Sequence, residues 1–250
     1  MISLALSAPA LALHAGHRTA GRTAVRRRVA APARCSHDDA IDALAARAAS
    51  AMREGRAHVE PAFLSGDALD VARANMESVL ATVPEAGDGD MESIQTDLLS
   101  AEFQQSLGAS LPFAALLVQL DELRASLAQH AARALLDGGG FHLMRYPPGA
   151  KFMRHVDEDP SMFEPRRNSI SFLLYLTPDD WSDDDGGSLI IYDSTAGDEG
   201  RRVQPVAGSL VVYDSTLEHE VTATRRPRFL ISGRFRELDA DWSERRARSA

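Results

Sequence analysis

Gly138-Gly139-Gly140-Phe141-His142-Leu143-Met144-Arg145-Tyr146-Pro147-Pro148-Gly149 is where the hydrophobic period of this chain changes. Before the glycines, apolar residues recur every three or four positions, the spacing of a helix face. After them the period is two. Phe141 to Tyr146, Phe152 to Val156, Ser169 to Leu176, Ser188 to Tyr192, Ser209 to Tyr213 and Arg228 to Phe235 read as strands. Pro147-Pro148-Gly149, Gly186-Gly187, Gly197 and Gly208 supply the turns. Short strands in series after a helical block predict an α+β chain, with a sandwich or barrel carrying helices on one face.

In the helical block, Ile41, Leu44, Ala45, Ala48 and Met52 predict a first helix stopped by Gly55. Ser65 is expected to cap a second, with Asp67 in its first turn and Leu69, Ala72, Met76, Val79 and Leu80 facing inward. Gly87-Asp88-Gly89-Asp90 reads as a loop, and a third helix is expected through Ile94, Leu98 and Leu99. The longest helix should begin near Pro112, bury Leu116, Leu117, Leu120, Leu123, Leu127 and Leu135, and end at the three glycines. No internal repeat is visible. The expected organisation is a leader over 1–37, a helical support region over 38–137, a β core over 138–240 and a tail over 241–250.

The leader holds six arginines and no acid before Asp38, the composition of an organelle transit peptide. Met1 to Ala15 also reads as a short secretory apolar region without a basic start. The two in series would resemble the leader of a plastid wrapped in extra membranes, and a disordered tail is the plain alternative. Plastid or mitochondrion is therefore the expected location, with the cytoplasm as alternative. Losing six positive charges and no acid takes the formal balance from -9 to -15. Such an acidic body repels phosphate backbones and argues against a nucleic-acid substrate. Without the leader's Cys35 there is no disulfide, thiolate metal site or cysteine nucleophile, which fits a reducing compartment. No apolar run approaches the ~18 residues of a membrane span.

His155-Val156-Asp157, then His219 and then Arg228, carry the chemistry. Two residues apart on a strand, His155 and Asp157 share a face. Alone, the pair is no more than an exposed strand edge, and His219 or Arg228 alone would be a surface residue. In this order, two imidazoles and one carboxylate can form a facial triad that leaves half of an iron's coordination sphere open. Arg228 opens a strand continuing with Phe229, Leu230 and Ile231, so its guanidinium should be partly buried and need an anion. Arginine grips carboxylates bidentately, which suits the far end of a dicarboxylic co-substrate. The set describes an iron enzyme consuming oxygen and 2-oxoglutarate.

From about Val59 to Glu237 the chain resembles the iron and 2-oxoglutarate dioxygenases of the prolyl 4-hydroxylase type, most closely the cytosolic protein-prolyl hydroxylases related to oxygen sensors. The resemblance rests on Arg154-His155-Val156-Asp157, Ser171-Phe172-Leu173-Leu174-Tyr175-Leu176, Trp181, Gly186-Gly187-Ser188-Leu189, His219-Glu220-Val221 and Arg228. It implies a double-stranded β-helix (jelly-roll) core, with Fe(II) on His155, Asp157 and His219. It implies 2-oxoglutarate held at its distal carboxylate by Arg228 and Tyr175, with Tyr146 close by. O2 as oxidant and stimulation by L-ascorbate belong to the same pattern, as does hydroxylation of a proline in a polypeptide with release of succinate and CO2. No catalytic residue is expected beyond the metal ligands, because the metal carries the radical chemistry. Asp157 argues against a halogenating relative, which would lack this carboxylate.

Arg234 stands where relatives often carry an aromatic residue, and is expected to alter the substrate pocket while leaving the iron site untouched. Arg166-Arg167-Asn168 falls where relatives place a substrate-contacting arginine, but is expected as a solvated loop. So is the acidic run Asp179-Asp180 with Asp183-Asp184-Asp185, whose spacing is not that of an EF-hand. Arg228 and Arg234 also fit the Arg-x5-Arg of nucleic-acid demethylases, but in those the first arginine lies further from the distal histidine. The rival readings are a dioxygenase of another residue or a small molecule, and a metal-holding β-barrel that binds a partner without turnover. The oligomeric state is not legible.

Overall fold

Two helices of this chain end in the same hydrogen-bond pattern, one on a glycine and one on an alanine. The computed structural model describes residues 37–81, 96–97, 111–137, 140–158 and 166–238. The expected tail lies outside them, as does the leader apart from His37. Helices among the described residues are α1 (His37–Arg53), α2 (Asp67–Leu80) and α3 (Leu111–His130). Past α1, Gly55 takes a φ of 68°. Its N–H bonds Met52 O at 3.0 Å and the Arg56 N–H bonds Ala51 O at 2.9 Å, the paired bonds of a Schellman ending. Past α3, Ala132 takes a φ of 52°, with its N–H on Gln129 O and the Arg133 N–H on Ala128 O. The longest helix therefore stops well before Gly138, contrary to expectation. An alanine in the left-handed region costs roughly 1 kcal/mol, so no residue type announced this stop. Leu135 instead bridges Glu237 of the last strand.

Two smaller expectations also fail. Gly66, at φ 54°, caps α2 with no side-chain bond, and Ser65 does not. Thr96–Asp97, inside the expected third helix, form a short strand; Ile94, Leu98 and Leu99 lie outside the described residues.

The strands are β1 (His58–Glu60), β2 (Thr96–Asp97), β3 (Gly140–Tyr146), β4 (Phe152–His155), β5 (Arg166–Tyr175), β6 (Leu189–Ile191), β7 (Arg201–Val203), β8 (Leu210–Asp214), β9 (His219–Val221) and β10 (Arg228–Leu238). They form two antiparallel sheets, β1-β8-β5-β10-β3-β2 and β4-β9-β6-β7. This is a jelly-roll core with helices on one sheet. Alternation along the strands sorts its two faces. Outward residues of the six-stranded sheet, such as Phe172, Leu174, Ile231 and Phe235, join α1, α2 and α3 in one core. Inward residues, such as Leu173, Tyr175, Val211 and Leu230, join Leu189, Ile191 and Val221 of the smaller sheet in a second. At roughly 1.5–3 kcal/mol per buried large apolar side chain, the outer core is what the helices contribute.

Gly233 lets that outer core close. Phe141, Phe172 and Phe235 pack around it with centroids 5.2 to 6.1 Å apart. A Cβ here would lie 2.2 Å from Phe172 and 2.6 Å from Phe141. Gly233→Ala is expected to cost about 1–3 kcal/mol by overpacking; urea unfolding checks this, and an unchanged midpoint would contradict the crowding.

Arg133, just past α3, ion-pairs with Asp214 at the end of β8 and donates to Ser169 O at 2.7 Å. Burial pushes the Asp214 carboxyl up, but Arg133 and Thr216 outweigh it and hold the group below the usual carboxylate range. A depressed carboxyl stabilises the fold above its unfolded pKa, and that stability is lost as pH falls through the folded value. Asp214→Asn should therefore cost about 1–2 kcal/mol at pH 7, and wild type and variant should converge below pH ~4. A gap of equal size at pH 7 and pH 3 would show that charge is not its source.

The acidic run is an exposed turn followed by a short 3-10 helix at Asp183–Asp185. Arg226 pairs with Asp180 at 3.1 Å and Arg73 with Asp179 at 2.7 Å. Exposed pairs of this kind contribute at most about 1 kcal/mol each.

Candidate functional site

Register across the larger sheet lays its inward side chains in rows. Tyr213 on β8, Ser171 on β5 and Arg234 on β10 are mutual partners. Two residues further, Val211, Leu173, Ser232 and His142 make the next row. Tyr175, Leu230 and Met144 follow, and Arg228 opposite Tyr146 closes the series. These rows roof a cavity that His155, Asp157 and His219 enter from the smaller sheet.

His155 and His219 are themselves register partners on β4 and β9. Each is fixed by its own chain: Nδ1 of His155 lies 2.8 Å from Met153 O and Nδ1 of His219 lies 3.0 Å from Leu217 O. A carbonyl only accepts, so Nδ1 carries the proton in both rings and Nε2 presents its lone pair. Asp157 lies past the end of β4, in a bend, and not on the strand where the sequence put it. Asn168 secures that bend, donating from Nδ2 to Asp157 O at 2.8 Å and from its backbone N–H to Glu158 Oε2 at 2.7 Å. Arg166-Arg167-Asn168 is thus the start of β5, not a loop, since its backbone pairs with Arg236, Glu237 and Leu238 of the long β10.

Nε2 of His155 stands 3.9 Å from Asp157 Oδ1, and Nε2 of His219 stands 3.8 Å from Asp157 Oδ2. The three groups could hold a metal ion, and among the described residues they are the one cluster that could. Burial holds His219 below the usual histidine range even though Asp157 pulls it up, which keeps the ring neutral. Burial would raise the Asp157 carboxyl, but the charge and hydrogen bonds of Arg234 help to hold it below the usual carboxylate range.

Arg234 does not leave this group alone, as the sequence reading held. Its Nε donates to Asp157 Oδ1 at 2.9 Å and its Nη2 pairs with the same oxygen. Tyr213 was missed altogether. Its hydroxyl donates to Asp157 Oδ2 at 3.1 Å and lies 3.2 Å from His219 Nε2. Burial, then the Asp157 charge, push its pKa well above the ordinary value, so it stays a donor. The available signal was a lone phenol at the end of the apolar strand Leu210-Val211-Val212-Tyr213, since a buried tyrosine hydroxyl needs a partner.

At the other end of the rows Arg228 is wholly buried between two rings, 4.9 Å from the Tyr146 centroid and 5.1 Å from that of Tyr175. Neither its three guanidinium nitrogens nor the Tyr175 hydroxyl has a hydrogen-bond partner among the described residues. Burial raises the pKa of both tyrosines above the ordinary value against the pull of Arg228, so both remain neutral. Cation-π attraction contributes about 0.5–2 kcal/mol per ring, less than the several kcal/mol of stripping water from a cation. The shortfall asks for an anion. Gly187 leaves room for the arginine stem, as a Cβ there would stand 2.8 Å from Arg228 Cδ.

No curated protein matches the chain. Residues 141–236 match the family model described as the 2OG-Fe(II) oxygenase superfamily. A Pseudomonas putida prolyl-4-hydroxylase is 27% identical, with a TM-score of 0.63 over 77% of this chain and 98% of its own. A Trichoplax adhaerens prolyl hydroxylase, solved with a hypoxia inducible factor peptide fragment, is 17% identical, with a TM-score of 0.65 over 84% and 94%. The alpha-ketoglutarate-dependent epimerase SnoN of nogalamycin biosynthesis is 16% identical, with a TM-score of 0.56 over 78% and 81%. The latter two share the fold, and an epimerase among them shows that the fold alone does not choose the reaction. Over residues 141–236 the chain is thus similar to the 2OG-Fe(II) oxygenase superfamily in sequence, and it shares with those enzymes the jelly-roll sheets that bring a His-Asp-His set together.

Proposed function

We propose that this protein hydroxylates a prolyl residue of a polypeptide, using Fe(II), O2 and 2-oxoglutarate and releasing succinate and CO2. The observation that carries the oxygenase part is the pairing of two ends of one cavity. Three metal-ligating groups converge at one end, and a buried, unsatisfied guanidinium waits at the other. The prolyl part is supported by the likeness to the 27% identical Pseudomonas putida prolyl-4-hydroxylase.

In this reading His155 Nε2, a carboxylate oxygen of Asp157 and His219 Nε2 hold the iron. Arg228 and the Tyr175 hydroxyl receive the distal carboxylate of 2-oxoglutarate, and Tyr146 walls the arginine from solvent. Bound iron with its co-substrate supplies the oxidising power that no side chain here possesses. The side chains bind, orient and keep the cavity dry: Leu173, Leu189, Val221 and Leu230 line it between the two charged ends. No proton transfer by a side chain is needed. L-ascorbate as reductant, and a plastid or mitochondrial location from the acid-free leader, complete the proposal.

The test is succinate formed from 2-oxoglutarate by anaerobically Fe(II)-loaded protein exposed to air, with and without proline-containing peptides. Iron-dependent succinate that peptides stimulate, with a mass gain of one oxygen on proline, is the expected result. Succinate indifferent to every prolyl peptide would remove proline and leave the oxygenase. No succinate at all would favour a binding module.

A further inference from the structure

Tyr213 is wholly buried, yet its hydroxyl reaches two of the three groups that could hold a metal. A phenol has one proton to give. The two acceptors in reach are the Asp157 carboxylate and the bare Nε2 of His219, whose other nitrogen is committed to Leu217 O. An ionised carboxylate is the stronger acceptor, so the proton goes to Asp157 Oδ2 and the His219 lone pair stays available. Oδ1 of the same carboxylate is held from the opposite side by Arg234. Tyr213 and Arg234 come from one row of the larger sheet, on β8 and β10, with Ser171 of β5 between them. Asp157 itself sits in a bend and has no strand pairing to fix its plane.

We propose that Tyr213 is a positioning residue of the metal site, acting through Asp157: its hydroxyl sets the tilt of the carboxylate against His219, with Arg234 as the opposing hold. This rests on the assignment of His155, Asp157 and His219 as ligands. Partners of this kind, one bond removed from the metal, typically change metal affinity by about 10–100-fold when lost.

The test is Co(II) titration of the full chain, reading both the dissociation constant and the visible absorption spectrum of the bound ion. Tyr213→Phe removes one oxygen and keeps the ring. It should weaken Co(II) binding by about 10-fold or more and alter the spectrum, as a carboxylate freed on one side changes its mode of coordination. Tyr192→Phe is the control, since that hydroxyl bonds Glu220 and touches no proposed ligand; its Co(II) affinity and spectrum should match wild type. In an Arg234→Met background, where Oδ1 has lost its partner, the Tyr213 change should cost more than it does in wild type. Equal costs in both backgrounds would overturn the shared carboxylate. Wild-type affinity and spectrum in Tyr213→Phe would overturn the role of Tyr213 while leaving the ligand set standing. Failure of the unmutated protein to take up Co(II) would sink the ligand assignment and this inference with it.

Discussion

Asp157→Ala should abolish metal uptake and turnover together while leaving the fold in place. The carboxylate is the one negative charge among the three converging groups, and its side chain is only 4% exposed. Removing it leaves only two imidazoles, one of them 28% exposed. A drop on the order of a thousandfold in Co(II) or Fe(II) affinity corresponds to about 4 kcal/mol. Arg234 loses its counter-ion in the same variant, but at 31% exposure it can turn to solvent, so the stability penalty should be small. Metal titration with a thermal melt separates the two effects. Retained turnover would refute the ligand set, and a collapsed melt would mean that Asp157 holds the fold.

Arg228→Met should act in two opposite directions. Truncating one member of a buried charge pair costs about 2–5 kcal/mol of binding, so the concentration of 2-oxoglutarate needed for half-saturation should rise about 100-fold or more. Metal affinity should hold, because Arg228 is three rows of side chains away from Asp157. Without co-substrate the same variant should be more stable than wild type. An unpaired buried cation gives way to an apolar side chain of similar length, a change worth roughly 1–4 kcal/mol in comparable cases. Loss of co-substrate binding combined with gain of stability is the signature of a site residue, since a structural arginine would lose both. An unchanged 2-oxoglutarate requirement would contradict its role, and reduced stability would show that the two rings satisfy it.

The helical stripes and the long strands were legible because they are periodic. Ile41 to Met52 and Leu116 to Leu127 bury the side chains their spacing singled out, apart from the partly buried Leu117. What escaped was set by tertiary context. The stop at Ala132 uses a residue with no preference for that conformation. The three-residue strands β1 and β7 are too short to show a period. The four principal site positions stood out by residue type and order, and the structure brings His155, Asp157 and His219 to one end of a cavity and Arg228 to the other. The cross-links to Asp157 did not stand out. Tyr213 and Arg234 lie 56 and 77 residues away from it in sequence, joined only by strand register.

Arg234, which grips the ligand Asp157, and Arg228 stand on one strand, so the span from ligand set to cation is a stretch of β10 and not a loop length. On the assignment proposed above, the protein is a ruler. Oxo-diacids one methylene shorter or longer than 2-oxoglutarate should bind more weakly than it does, since both anchors are fixed and Leu173 and Leu189 line the space between them. Volume changes at those two leucines should therefore shift which chain length is accepted before they disturb either anchor.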